Sequence, residues 1–367
     1  MTNELQALIQ REKKYLTDKK PHTKHKIDYV CEYVKEWLYV SCNSENENLN
    51  FIDCMSNAGV YADGDLCTAV EVLKIFCQFA YKNPEKTFNI LFNDLSTDRI
   101  RIAKEVCNLE IKSLPKNVNT FFDNIDVNDY IRTVKGKYNL FAFPSRTILF
   151  VDPFDFRTVN IPTLKQFVQY TYCELIFNMF TSDFVRNGVD SGIAKSLGGN
   201  YVFANKEELW EHVAATLLVG KMKHCLSYPF RNSKNAELYQ ILFLTPSDKG
   251  LDKLKQAIWN TFNGQEYFKT ETVPVGQLSF FSPADDKDSR AKSYAEEAYK
   301  YLSDNYAGQI LAYNDIESII LGHSLLMTTQ LITYVIKPKI ASKQLIKQNK
   351  VKSSNYKKDS YLIRGDK

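Results

Sequence analysis

Between residues 25 and 38 the apolar side chains Ile27, Val30, Cys31, Val34, Trp37 and Leu38 recur at three- and four-residue intervals. That spacing predicts an amphipathic helix. A polar, Asn-rich stretch follows over 41–50. Residues 49–53 are a short apolar run that ends in an acid, and a turn-rich segment leads into a strongly helical pattern over 67–81. The order then recurs. Residues 87–94 predict a buried strand closed by an acid, 98–107 a helix, and 118–126 a third strand. Residues 147–152 are a continuous apolar run that Pro153 stops, the clearest strand in the chain. Residues 163–170 predict a helix with Pro162 at its start, and 174–180 another buried strand.

Strands and helices in alternation, with strands that are apolar throughout, indicate an α/β fold: a Rossmann-like parallel sheet with helices on both faces. Ligands bind such sheets at the carboxyl ends of the strands. Four successive predicted strands end in Asp53, Asp94, Asp126 and Asp152. Acids in that series suit a ligand rich in hydroxyls and amines. Residues 187–222 read as a helical insertion, 238–245 as a strand and 250–262 as an amphipathic helix. A polar linker is expected over 282–290, and a short basic hairpin over 350–365. The expected division is a domain over 1–281 and a small one over 291–367.

Charge sharpens this division. The 367 residues carry 47 Lys and Arg against 43 Asp and Glu, a net +4. Residues 331–367 hold ten of the basic residues and two of the acidic ones, so this end carries +8 and the rest −4. A basic end on a mildly acidic body points to a local anionic contact such as DNA or RNA. The alternative is a solvated tail, although Tyr356, Tyr361, Leu362 and Ile363 interleave the charges. No apolar run approaches the roughly 18 residues of a membrane span. Residues 1–20 lack the apolar core of a secretory leader, so a cytoplasmic protein is expected. The eight cysteines form no C-x-x-C pair and the histidines are scattered, so reduced thiols and no metal site are expected. Neither a nucleophile elbow nor a phosphate-binding G-x-x-x-x-G-K-[ST] occurs.

Two motifs carry chemistry. In NFIDCMSNAGVYADGD, a strand, a small-residue turn and a helix present backbone N–H groups to a ligand. S-adenosylmethionine (SAM) fits such a loop through its amino-acid end, with Asp94 on the ribose hydroxyls and Asp126 near the adenine amine. An ordinary βα turn is the competing reading, since Gly59 and Gly64 are the loop's only glycines. In FVDPFDF (150–156), Asp152 and Pro153 form a rigid mouth at a strand end, and Phe154 can stack on a base taken out of its helix. The carboxylate there can accept from a target amino group. A strand stop with buried aromatics is the alternative. Tyr228, Phe230 and Arg231 read as a loop edge before a strand, with Arg231 either solvated or meeting an anion.

These residues together resemble the three-Cys-motif partner (TcmP) family, bacterial proteins with a SAM-methyltransferase-like fold. The match includes HTKHKIDYVCEYVKEW (22–37), the loop from Asp53 to Tyr61, Asp152-Pro153-Phe154-Asp155, and Thr245 through Gly250 and Leu251 to Trp259. It covers roughly residues 20–265. The resemblance implies a cofactor site at Asp53, Asn57, Gly59, Tyr61, Asp94 and Asp126, and a catalytic mouth at Asp152, Pro153 and Phe154. It also implies a winged-helix-like C-terminal domain and a separate three-cysteine, iron–sulfur, radical-SAM-like partner. Cys54, Asn57 and Asp155 stand where the family has glycines. The expected activity is SAM-dependent methylation of an amino group in nucleic acid. The alternatives are a methyltransferase-fold module that binds nucleic acid or a partner without catalysis, and a small-molecule methyltransferase.

Overall fold

Side chains that are apolar on both faces of a strand need cover on both sides, and the strands here find it. The structure is a computed structural model that describes residues 2–45, 47–138, 140–141, 144–180, 190–270, 283–348 and 355–365. It divides into two compact units. One comprises Met1–Ser247 and Tyr267–Thr272, the other Asp248–Glu266 and Val273–Lys367.

The first unit is built on a mixed but mainly parallel sheet. Its strands are β1 (Asn48–Asp53), β2 (Thr87–Asn93), β3 (Val118–Asp123), β4 (Ser145–Val151), β5 (Cys173–Met179), β6 (His224–Arg231), β7 (Glu237–Thr245) and β8 (Phe268–Lys269). They are ordered β3-β2-β1-β4-β5-β7-β6-β8. β1 to β5 are parallel, and β7 runs antiparallel between β5 and β6. The helices are α1 (Asn3–Glu12), α2 (Pro21–Cys42), α3 (Thr68–Ala80), α4 (Thr97–Glu110), α5 (Val127–Lys137), α6 (Ile161–Tyr170), α7 (Ser191–Leu197) and α8 (Lys206–Leu217). α5 to α8 cover one face, where Tyr130, Leu164, Leu197 and Trp210 pack with Ile52, Leu149, Leu175 and Leu242. On the other face Tyr33 of α2 meets Phe243, and Phe76 of α3 meets Phe88, at ring separations of 4.5 and 5.6 Å.

A polar ladder, buried except at its exposed Asn119 end, crosses four strands at one level. Asn119 donates to Asn89, Asn89 to Asn50 and Asn50 to Thr147, at 2.9–3.1 Å. Each residue is the register partner of the next. A slip would strand these amides without partners, so the ladder fixes the alignment that brings the strand ends together.

Several elements differ from expectation. β3 ends at Asp123, and Asp126 instead caps α5, accepting the Asn128 N–H at 2.9 Å. Residues 224–231 are a strand and not a loop edge: Tyr228 and Phe230 are buried, and Arg231 lies 4.2 Å from the Tyr267 ring centroid. Helices α7 and α8, within the expected helical insertion, pack in the same core as the sheet and so form part of its covering layer.

The second unit contains α9 (Asp248–Phe262), α10 (Pro283–Tyr306), β9 (Ile310–Ala312), α11 (Tyr313–His323), α12 (Thr328–Leu331), a π-helical turn (Ile332–Ile336), α13 (Lys337–Ala341), β10 (Leu345–Lys347) and β11 (Ser360–Ile363). The strands form an antiparallel sheet ordered β10-β11-β9. Pro283 to Arg290, expected as linker, begins the long helix α10. The division falls after Ser247 and not near 281, because α9 is bound into this unit. Asp252 accepts the Thr328 N–H at 2.8 Å, Lys255 donates to the Leu321 carbonyl at 2.5 Å, and the Trp259 indole donates to the Leu325 carbonyl at 2.8 Å. Among the described residues no single helix is long and apolar enough to cross a membrane.

Candidate functional site

The carboxyl ends of β1 and β4 lie side by side, and a pocket of about 220 Å³ opens there. It is lined by Asp53, Asn57, Tyr61, Asp152, Pro153 and Phe154 from the expected set, and by Thr17, His22, Lys26, Phe180 and Tyr239. Asp94 lies beside it, in a groove with Lys14, Ser96 and Arg99 that Thr17 also lines. Asp126 lines neither.

The loop after β1 is held by main-chain bonds. Cys54 N–H donates to the Phe150 carbonyl at 3.0 Å, and Ser56 N–H to the Asn93 carbonyl at 2.7 Å. Asp94 accepts the Asn57 N–H at 3.2 Å and the Ser96 N–H at 2.9 Å, so its carboxylate ties the β1 and β2 loops together. Asn57 has a left-handed backbone (φ 56°), which Asn tolerates better than most residues. Gly59 is also left-handed (φ 75°), and a β-carbon there would stand 3.1 Å from Ala103 Cα. Both residues therefore keep the tight turn. Cys54 is fully buried and its side chain joins the core beneath α5, so its replacement of glycine does not fill the ligand side. The Asn57 side chain does line the pocket and reaches Thr17 Oγ1 at 3.5 Å.

Asp53 is 2% exposed and accepts the Met55 N–H at 3.0 Å. Burial, against the opposing effect of that bond, pushes its carboxyl well above the usual carboxylate range. Burial likewise raises the Tyr61 phenol. Asp152 accepts from the Lys26 ammonium on one oxygen and from Asn178 Nδ2 at 2.6 Å on the other. The Lys26 ammonium also lies 5.6 Å from the Tyr239 ring centroid. Burial first, then Lys26 and Lys20, pull the His22 imidazole down to about 4, so the ring is neutral at pH 7. Phe154 is exposed, with the Arg99 guanidinium 5.9 Å from its ring centroid. Asp155 accepts the Arg157 N–H at 2.9 Å and caps a short turn away from the pocket.

Among the described residues, two buried polar atoms near this place, Asn178 Oδ1 and Tyr239 Oη, have no hydrogen-bond partner. Such groups are costly unless something bonds to them, and of the two Tyr239 lines the pocket. Sequence reasoning missed Lys26, His22, Asn178 and Tyr239. The available signal was polar residues at i and i+4 (His22 and Lys26) on a helix that otherwise buries its apolar face. Among the described residues no group of three or more His, Cys, Asp or Glu is placed to hold a metal.

No family model and no curated protein matches the sequence. Solved structures do show similarity. The Legionella pneumophila protein LPL1258 is 9% identical and aligns over 65% of this chain and 94% of its own, with a TM-score of 0.37. The plantazolicin methyltransferase BpumL, solved in complex with SAH, is 11% identical over 66% and 88%, with a TM-score of 0.31. An O-methyltransferase family protein from Burkholderia thailandensis is 12% identical over 57% and 55%, with a TM-score of 0.27.

Proposed function

We propose that the sheet unit is a SAM-dependent methyltransferase that acts on an amino group in nucleic acid. The observation that carries this reading is the strand order β3-β2-β1-β4-β5-β7-β6 with β7 alone reversed in that set. That is the sheet of the methyltransferase-like fold which the resemblance implies. Its crevice gathers Asp53, Asp94 and Asp152 at the carboxyl ends of β1, β2 and β4, where ligands bind such sheets.

The residues present fit the cofactor. The left-handed Asn57–Gly59 turn stays open on the ligand side of Cys54. Asp53, the backbone of the Asn57–Gly59 turn and Tyr61 would hold the amino-acid end, and Asp94 the ribose. When bound, SAM supplies an electrophilic methyl group. The chain's own part is to orient the acceptor. Asp152, fixed by Lys26 and Asn178, keeps further lone pairs for an acceptor N–H, and the exposed Phe154 ring offers a stacking face. Asp126 caps α5 and lines neither of these pockets, so it adds no support for an adenine contact.

The C-terminal unit supports the nucleic-acid part. Its order of helix, strand, helix, helix, strand, strand (α10, β9, α11, α12–α13, β10, β11) supports reading it as winged-helix-like. A three-cysteine iron–sulfur protein is the proposed partner for the reaction. The non-catalytic reading is favoured by one observation: the Asn57 side chain projects into the pocket and bonds to Thr17.

Equilibrium dialysis with labelled SAM decides between them. Retention that Asp53→Asn and Asp94→Ala weaken supports the enzyme. No retention at millimolar SAM overturns it and leaves the module.

A further inference from the structure

Helices α11 and α12–α13 meet at 117° across the four residues 324–327. That angle and so short a connection are those of a helix-turn-helix, a motif whose second helix, in DNA-binding proteins, enters the major groove. The second helix exposes one stripe, Thr329, Thr333 and Lys337, spaced four apart, while Leu331, Val335 and Ile336 are buried beneath it. The stripe is not apolar, so burial against another protein core does not account for it.

Charge and tethering extend the same face. No Asp or Glu occurs from Ser318 to Lys358. The Tyr356 ring lies between two ammonium groups, 5.8 Å from Lys337 on α13 and 5.7 Å from Lys347 on β10. The ring thus joins the second helix to the small sheet, and the exposed Lys357 and Lys358 follow directly. Lys347 also pairs with the buried Asp359 at 3.0 Å, and Lys339 pairs with Glu296 at 2.5 Å. Lys337, Lys343, Lys357 and Lys358 are exposed on this helix and the segment after it.

We infer that this stripe, with the lysines beside Tyr356, docks in the major groove of double-stranded DNA. The inference rests on the winged-helix reading above and names its nucleic acid. A B-form major groove, about 12 Å wide, admits a helix. The A-form groove of double-stranded RNA is too narrow for one. Single strands call for exposed aromatic platforms. Among the described residues of this unit, the exposed large apolar side chain is Ile310, on β9, and none is an aromatic ring on the stripe. Short hydroxyls and a flexible cation suit base edges and phosphates.

The test uses the full chain and fluorescence anisotropy with a labelled 24-base-pair DNA duplex, the RNA duplex of the same sequence, and the single DNA strand, each across a salt series. The expected result is at least tenfold tighter binding of duplex DNA than of either alternative. Thr333→Glu and Lys337→Glu should each weaken it at least tenfold, and Lys104→Ala, on α4 of the other unit, should leave it unchanged. Lys337→Ala should also lower the salt slope by about 1 if that ammonium meets a phosphate. Equal or tighter binding of RNA or single strands overturns the inference, as does full DNA affinity in Thr333→Glu. SAM retention on the same samples is read separately, so failure of the methyltransferase reading leaves this result standing on its own.

Discussion

Lys26 on α2 donates its ammonium to Asp152 at the end of β4, 126 positions away in sequence. The pair closes one wall of the pocket and sets the direction in which Asp152 faces. It also makes α2 part of the site as well as part of the sheet's cover. Asn178, one strand over, fixes the second oxygen.

Removing one member of this pair leaves a poorly solvated charge. Lys26→Met should lower unfolding free energy by about 3 kcal/mol, the usual cost of breaking a buried pair from one side. Lys26→Met combined with Asp152→Leu should recover most of it. Urea denaturation of the three proteins checks both; equal losses in the single and double variants would refute the pairing argument.

Cys54 and Asn57, two residues of the loop after β1, should behave differently when replaced by glycine. Asn57→Gly removes a side chain that lines the pocket and suits the left-handed backbone, so SAM retention in dialysis should rise. Cys54→Gly should leave retention unchanged while costing about 1–2 kcal/mol of stability through the cavity in the core beneath α5. A gain in retention from Cys54→Gly would contradict the placement of that thiol.

Much of the sheet was readable because its central strands are apolar on both faces: β1, β2, β4 and β5 were located to within a residue or two. β6 was not, because Pro229 and the polar His224, Ser227 and Arg231 give it a half-exposed pattern. The start of α10 was lost for a similar reason, as Pro-Ala-Asp-Asp-Lys-Asp has linker composition yet sits in a helix tied by the Lys292–Asp288 pair. In the site, strand-end acids could be found one by one. The partners that give them meaning could not, since Lys26, Asn178 and Tyr239 come from three distant segments. Asp126 shows the converse: an acid after a strand that serves the next helix.

Glu174 on β5 makes stability depend on pH. Burial raises its carboxyl to about 7 against the opposing Thr245, Arg146 and Tyr33. Between about 4.5 and 7 the folded chain then holds a proton that the unfolded chain has released. Stability should therefore fall as pH climbs through that window and level off above it. The fall attributable to this residue is about 3 kcal/mol. Glu174→Gln should abolish it, which urea midpoints at pH 5 and pH 8 will show.

The C-terminal unit should slope the other way. Burial lowers the Lys255 ammonium to about 7, against a small opposing effect of Asp252. Above pH 7 the folded chain lacks a proton that the unfolded chain keeps, so stability rises toward pH 10. Lys255→Met should flatten this rise in hydrogen-exchange protection of α11. Asp252→Ala, which removes the cap on Thr328, should cost about 1 kcal/mol in the same measurement at any pH.

All eight cysteines lie between Cys31 and Cys225, within the sheet unit, and the C-terminal unit has none. Six are buried, and burial raises each of those thiols. A thiol-reactive dye at neutral pH will therefore mark these six only as fast as the sheet opens, while the partly exposed Cys42 and Cys225 can react sooner. The chain carries its own stopwatch for one half, and a single cysteine added to the other half would time the two against each other.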